Sequence, residues 1–205
     1  AANASPIAMD DSRGTFKDKS VLINIAANDF DPDGDALTIT AIDGTAVDAG
    51  SIVSVTGGSV TVQANGSLLF TPAANFAGIA NFDYTTGDGN GAFDTASALV
   101  MVDAINDAPV NTVPGTQSFA EDTSVVFSTG NGNLIAVSDV DAGGASLTLN
   151  LNVGQGNLTL ASVASLSVTG NGTSNVTLTG SAAAINTALD GLSYVPTAHQ
   201  NGPQT

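Results

Sequence analysis

Four aspartates at alternate positions form the densest group of potential ligands in the sequence. Asp29, Asp31, Asp33 and Asp35 fall within seven residues, and no His or Cys lies among them. Carboxylates this close repel one another unless a cation lies between them. Oxygen donors of this kind favour calcium. The spacing therefore predicts a calcium site, and a solvated acidic turn is the alternative reading of the same residues.

The acidic loop does not follow the EF-hand pattern. Counted from Asp29, the twelfth position of such a loop should be Glu, and the sequence has Thr40 there. A calcium ion in this loop would therefore need ligands from elsewhere in the chain.

Strand order suggests where those ligands come from. In a sandwich whose strands run alternately down and up, the loop after the second strand and the loop before the last strand lie at the end where the chain begins. We therefore expect Asp88, in the Gly-rich segment 87–91, to join the acidic loop 29–35.

A second group of oxygen ligands is predicted at the junction between two domains. By the same strand logic, the turn after the first strand and the end of the last strand lie at the opposite end of the first domain, facing the corresponding loop of the second. A hydrated hinge is the alternative. The residues concerned are Asp18, Asp103, Asn106, Asp107, Asp139 and Asp141.

The sequence predicts that the elements that position these loops are short β-strands. Apolar residues alternate with polar ones, for example over 37–41, 82–84 and 147–153, which is the period of a strand with one buried face. Gly-rich turns separate the strands. One exception is 181–191, where a capping Ser, an Ala-rich segment and a closing Gly predict a short helix. The fold class predicted is all-β, with sandwich architecture.

Composition excludes several classes of function. The formal charge is −16, with one Glu and eighteen Asp against three basic residues, so binding to nucleic acid or to an anionic membrane is disfavoured. No segment approaches the roughly 20 apolar residues that cross a bilayer. The absence of Cys excludes disulfides and thiolate zinc sites.

The chain contains two similar copies. Residues 3–7 align with 106–110, 31–37 with 139–147, and 69–72 with 193–196. We therefore predict two tandem domains, 1–105 and 106–205. After Pro72 the first copy continues through two further strands, over 79–84 and 93–105, whereas only nine residues follow Pro196. The second domain is predicted to be incomplete, with its last strands supplied by the natural continuation of the chain or by a neighbouring subunit.

These motifs resemble a known group of repeats. The segments 27–35, 88–91 and 106–110 are similar to the cadherin-like, immunoglobulin-like tandem repeats of large bacterial surface proteins, including RTX-type adhesins. The resemblance implies a secreted, calcium-rigidified spacer or adhesion module. It also implies that Asp103, Asn106 and Asp107 form a calcium-binding linker, with Asp139 and Asp141 as the paired acids of the next domain.

One departure from the resemblance concerns a cation at the junction. The second copy has Glu121-Asp122-Thr123, whereas the first has Lys17-Asp18-Lys19. Lys17 should lie at the junction end, where its ammonium could replace a metal ion among the acids. A solvated basic patch is the alternative.

Catalysis has little support in the residues. His199 is the only imidazole, and it lies in a loop segment beside Pro and Gly. We expect a structural module rather than an enzyme, with neighbouring repeats or subunits as partners and filaments as one possible assembly. The alternative function is a carbohydrate-binding adhesion module. It would normally use an aromatic platform, and aromatic residues are only 5% of the chain.

Overall fold

The computed structural model describes residues 2–199 and divides the chain into two compact units, Ala1–Ile105 and Asn106–Thr205. Each unit is built from short β-strands around its own hydrophobic core. The all-β class predicted from the period-two alternation is confirmed. No helix within residues 2–199 is long and apolar enough to span a membrane.

The first unit consists of nine strands. They are β1 (Asp11–Phe16), β2 (Val21–Ile23), β3 (Thr38–Ile42), β4 (Thr45–Ala46), β5 (Ile52–Val55), β6 (Gly58–Val62), β7 (Leu68–Pro72), β8 (Gly78–Gly87) and β9 (Phe93–Asp103). One sheet has the order β1-β9-β8-β3-β4 and the other β2-β7-β6-β5. The two sheets enclose one core, as the sandwich prediction requires.

Strands β8 and β9 contribute much of that core. Their inward positions alternate with exposed ones, so that Ala80, Phe82 and Tyr84 are buried on β8. Across the sandwich, the rings of Phe70 on β7 and Phe82 stack with centroids 6.4 Å apart. Burial of these side chains fixes the register of the β8–β9 pair, and therefore the position of the loop that joins them.

Two details of the first unit differ from the alternation in the sequence. Ile25 continues the alternate apolar spacing of Val21 and Ile23, but it lies in a 3₁₀ turn, Ile25–Ala27, and is still buried. The turn is closed by the Asp29 N–H, which donates to the Ile25 carbonyl at 3.2 Å. Asp29, which follows the turn, is buried. Strand β1 has no alternation to predict it, and it pairs with β9 in parallel through its backbone.

The second unit consists of eight strands and one helix within its described residues. The strands are β10 (Val110–Thr112), β11 (Val125–Phe127), β12 (Ala136–Ser138), β13 (Ser146–Asn152), β14 (Asn157–Thr159), β15 (Ser167–Thr169), β16 (Asn175–Ser181) and β17 (Leu192–Val195). Their sheets have the orders β10-β12, β11-β17-β14 and β13-β16-β15.

The predicted helix is confirmed as α1 (Ala182–Leu189). Ser181 caps its N-terminus, since the Ser181 hydroxyl accepts from the Ala184 N–H at 3.2 Å. Ile185, Ala188 and Leu189 face the core, while Gly191 follows the helix with φ +106°. The helix thus contributes a buried face to the second unit.

One edge of the second unit is open within the described residues. In the first unit β3 pairs with both β8 and β4, whereas β13, which aligns with β3, pairs only with β16. The inward leucines of β13 are half-buried rather than buried. Up to residue 199, no strands follow β17 that could match β8 and β9.

Candidate metal centre

Three aspartates of the acidic loop lie together in the structure. One carboxylate oxygen each of Asp31, Asp33 and Asp35 lies within 4.8 Å of the others. We call this group the loop site. Asp31 is buried, Asp33 exposed and Asp35 half-buried, so the group lies at the surface with one buried member.

Asp31 is the residue whose chemistry stands out. Its side chain is 8% exposed. Its Oδ1 accepts the Asp33 N–H at 2.7 Å, and this hydrogen bond closes the loop into a turn. Its Oδ2 is buried and has no hydrogen-bond donor. A buried carboxylate oxygen without a partner lowers the stability of the folded state, because it has lost its hydration and no hydrogen bond replaces the lost water.

The N-terminal segment closes over the loop site. The Ala4 N–H donates to Asp33 Oδ2 at 2.6 Å, and Asn3 Nδ2 donates to Asp88 Oδ2 at 2.6 Å. Ile7 and Phe30 then exchange two backbone hydrogen bonds, of 2.8 and 3.1 Å. The beginning of the chain is therefore tied to both acidic loops.

The β8–β9 loop supplies the remaining side. Asp88 is buried at 5% exposure, and its Oδ1 accepts the N–H groups of Asn90 and Ala92. The hydrogen bond from Asn3 lowers the pKa of Asp88 below its usual range, so it is ionised at neutral pH. Asn90 Nδ2 donates to Asp35 Oδ2 at 2.8 Å. The convergence of these two loops with the start of the chain, predicted from strand order, is confirmed.

Asp29 separates from the other three aspartates. Its Oδ1 accepts the Met9 N–H at 2.8 Å and lies 3.1 Å from the Tyr84 hydroxyl, which also contacts Asp11. Burial raises the pKa of Asp29 despite the hydrogen bonds from Met9 and Tyr84. The alternation along the loop suggested four equivalent ligands, whereas the 3₁₀ turn points Asp29 into the sandwich.

The predicted junction residues divide between the units. In the second, Asp139 Oδ1 accepts the N–H of Asp141 at 3.0 Å, and Asp141 Oδ2 accepts the N–H of Asp107. Asn106 Nδ2 donates to the Asp107 carbonyl at 2.7 Å. In the first, Asp18 Oδ1 accepts from the backbone of residue 75, and the carbonyl of residue 103 accepts from residue 17. That these residues share one site stays a prediction.

Two other sequence-derived candidates behave differently. The Lys17 side chain is buried at 4% exposure, which is not the solvated patch of the alternative reading. Its role as a cation at the junction stays a prediction. His199 is 87% exposed, as expected for a surface loop, and its Nδ1 lies 3.8 Å from carboxylate oxygens of Glu121 and Asp122. All three members of this group are exposed.

Several residues of the site were missed by sequence reasoning. Asn3 and Asn90 act as amide donors to the acids, and nothing in their spacing distinguishes them from other turn residues. Tyr84 contacts both Asp29 and Asp11 through its hydroxyl. A signal for Tyr84 did exist, because it falls on an inward position of the alternating segment 82–84, where a hydroxyl needs a partner.

The comparisons with known proteins support the fold of the first unit. A family model described as a bacterial Ig domain matches residues 3–101. The first unit is Ig-like. The match covers both acidic loops, strands β1 to β8 and most of β9. No curated protein is significantly similar to the chain.

Solved structures similar to the chain include a protocadherin, a desmocollin, a receptor protein tyrosine phosphatase and an endo-fucoidan hydrolase. The chain is 10% identical to protocadherin gammaB7 EC3-6 (86% of this chain, 39% of that one, TM-score 0.38). It is 14% identical to the human desmocollin-1 ectodomain (88% and 32%, TM-score 0.35). It is also 14% identical to the Ig1-2 module of the Drosophila receptor protein tyrosine phosphatase DLAR (88% and 84%, TM-score 0.32). The chain thus spans well under half of the protocadherin and desmocollin chains.

Proposed function

We propose that this chain is a calcium-stiffened structural module of an extracellular bacterial surface protein. The observation that carries the proposal is the buried Asp31 Oδ2, which has no donor and belongs to a group of three carboxylates within 4.8 Å. A calcium ion would satisfy that oxygen and neutralise the repulsion among Asp31, Asp33 and Asp35. Asp88 of the adjoining loop is linked to this group through Asn90, whose N–H donates to Asp88 and whose Nδ2 donates to Asp35.

The mechanism of such a module is mechanical. The N-terminal segment, the acidic loop and the β8–β9 loop already contact one another through Asn3, Ala4 and Asn90. A cation held by carboxylates of these loops would restrict their backbone freedom, because the turns between them are rich in Gly and Asp. The start of the domain would then become rigid, as a spacer under tension requires.

The linker acids extend the proposal to the junction. Asp103, Asn106 and Asp107, with Asp139 and Asp141, would bind further calcium and stiffen one repeat against the next. Extracellular location belongs to the same proposal, since bacterial Ig domains are typical of surface proteins.

Calcium titration of the chelator-stripped chain tests the loop site. We expect heat of binding for the native chain and loss of one ion for Asp31→Asn. Asp48→Asn is the matched control, because Asp48 is an exposed aspartate of another turn in the same unit. If Asp31→Asn binds as many ions with the same affinity as the native chain, the loop site is wrong.

A second proposal concerns partners. Strand β13 has one free edge within the described residues, and beside it lies an apolar groove of about 380 Å³. Phe119, Phe127, Leu151, Leu158 and Tyr194 are among the residues that line it. An edge with an open apolar face favours strand addition. We propose that a strand from a neighbouring repeat or subunit pairs with β13.

Hydrogen exchange with a measurement of mass in solution tests the partner proposal. In a monomer, the outward amides of β13 should exchange quickly, and in an assembled form they should be protected. Slow exchange of every β13 amide in a monomer would contradict strand addition.

The carbohydrate-binding alternative finds less support in the structure. Both tyrosines are buried, Tyr84 at 0% and Tyr194 at 5% exposure, so neither contributes to an aromatic platform. Specific binding of the chain to a glycan array would favour the carbohydrate-binding function over the structural one.

A further inference from the structure

A second group of buried oxygens lies beside the loop site and uses none of its carboxylates. Asp11 and Asp29 are each 8% exposed, and Tyr84 is fully buried between them. With Asn28 they form what we call the interior cluster. Asp29 is the residue that the alternation had assigned to the acidic loop, so its separate environment needs an explanation of its own.

One hydroxyl lies among several oxygens of the interior cluster. The Tyr84 hydroxyl lies 2.8 Å from the Met9 carbonyl oxygen, 3.1 Å from Asp11 Oδ2 and 3.1 Å from Asp29 Oδ1. A phenol has one hydrogen to donate. Asp29 Oδ1 also accepts the Met9 N–H, and the Met9 carbonyl also accepts from Asn28 Nδ2, so Asp11 Oδ2 is the acceptor for which Tyr84 is the only donor named.

Two further oxygens of the cluster have no donor at all. Asp29 Oδ2 and Asn28 Oδ1 are buried without a hydrogen-bond partner. The Asn28 amide cannot simply be turned around, because its Nδ2 donates to the carbonyls of Met9 and Asp10 at 3.1 and 3.2 Å. Its oxygen is therefore fixed as an unpaired acceptor, on the residue that precedes Asp29 in the chain.

The surrounding charges do not compensate for these unpaired oxygens. Burial raises the pKa of Asp11 even though Arg13 acts in the opposite direction. Asp10 adds negative charge at Asp11, and Asp94 does so at Asp29. Both carboxylates thus lie in a region where a positive ion would be stabilised.

We propose that the interior cluster is a second cation site, at which a calcium-sized divalent ion is bound by Asp29 Oδ2, Asn28 Oδ1 and the Asp11 carboxylate. The donors are all hard oxygens, which suits calcium. Calcium also tolerates the irregular geometry that a strand residue and two turn residues impose, whereas magnesium needs near-ideal octahedral coordination. The ligands differ from those of the loop site, so a substitution can remove the ion from one site and leave the ion at the other.

Ion counting with paired variants tests the second site. The chelator-stripped full chain is titrated with calcium alone, and bound ions are counted after desalting. We expect Asp11→Asn to lose one ion relative to the native chain, Asp31→Asn to lose a different one, and the double variant to lose both. Asp48→Asn should retain the native number. Asp11→Asn should also fold without calcium, because it removes a buried negative charge.

Terbium provides a readout that depends on position as well as on number. The chain has no Trp and two Tyr, so tyrosine-sensitised terbium emission reports an ion near Tyr84 or Tyr194. Emission should persist in Asp31→Asn, and it should disappear in Asp11→Asn and in Tyr84→Phe.

The outcomes separate the two proposals. If Asp11→Asn keeps the native ion count and terbium emission, the second site is overturned, and a proton on one of the two buried carboxylates takes the place of the ion. If instead Asp31→Asn changes nothing while Asp11→Asn loses an ion, the loop site is wrong and the interior site stands.

Discussion

The two units contain the same acidic turn in different surroundings. In the first, Asp31 Oδ1 accepts the Asp33 N–H at 2.7 Å, and in the second, Asp139 Oδ1 accepts the Asp141 N–H at 3.0 Å. In the first unit the turn is followed by a third carboxylate, Asp35, and Asn90 of the loop that carries Asp88 donates to it. In the second unit the turn is followed by residues 142–144, Ala-Gly-Gly. The turn is therefore common to both units, and a cluster of carboxylates is not.

The cores differ in a related way. Strands β8 and β9 supply seven of the sixteen buried residues in the first core. The second core has ten buried residues among those described, and the leucines of β13 are only half-buried. One hairpin thus both closes the first core and carries Asp88 to the loop site. We infer that a closed core and an assembled acidic cluster depend on the same element.

Truncation of the hairpin core should have the largest effect. Phe82→Ala should destabilise the first unit by about 3–5 kcal/mol, because a ring at 2% exposure leaves a cavity. Leu149→Ala in the second unit should cost less than about 2 kcal/mol, since part of that side chain already contacts water. Denaturant unfolding monitored separately for each unit gives both values. Equal decreases in the free energy of unfolding for the two variants would contradict the contrast between a closed and an open core.

Removal of calcium should have the next largest effect. The part of this effect that depends on the loop site should fall on the first unit. An ion at one hundred times its dissociation constant stabilises the folded form by about 2.7 kcal/mol. Scanning calorimetry with excess chelator should therefore lower the melting temperature of the first unit. Asp31→Asn should show a reduced response. An unchanged melting curve would mean that these acids are merely solvated.

Loss of the helix cap should have the smallest effect, and only on the second unit. Ser181→Ala removes the hydroxyl that accepts from the Ala184 N–H, which should cost about 1 kcal/mol. Ser181→Thr should keep most of the native stability, because threonine also has a hydroxyl that can accept this hydrogen bond. If the first unit changed equally in the same thermal scan, the two cores would not be independent.

The period-two alternation was sufficient to predict most strands and the all-β class. It worked because Phe82, Tyr84 and the leucines of β13 face inward, whereas the residues on either side of each along the chain are more exposed. It failed for β1, whose residues Asp11–Phe16 are placed by parallel backbone pairing with β9 rather than by an apolar face. Backbone pairing between distant segments leaves no periodic trace in a sequence.

The candidate site was predictable in its location and only partly in its members. Strand order placed Asp31 and Asp88 at the start of the domain, where the structure has them. It could not separate Asp29 from its neighbours, because that depends on the 3₁₀ turn at Ile25–Ala27. Nor could it identify Asn3 as the donor to Asp88, since that contact joins residues 85 positions apart.

The most direct test of a calcium-binding first unit is diffraction from crystals grown in calcium, with anomalous scattering recorded. The account predicts a peak at the loop site, with oxygen atoms of Asp31 and its neighbouring carboxylates at about 2.3–2.6 Å from the ion. A well-ordered loop with no peak among Asp31, Asp33 and Asp35 in saturating calcium would contradict it.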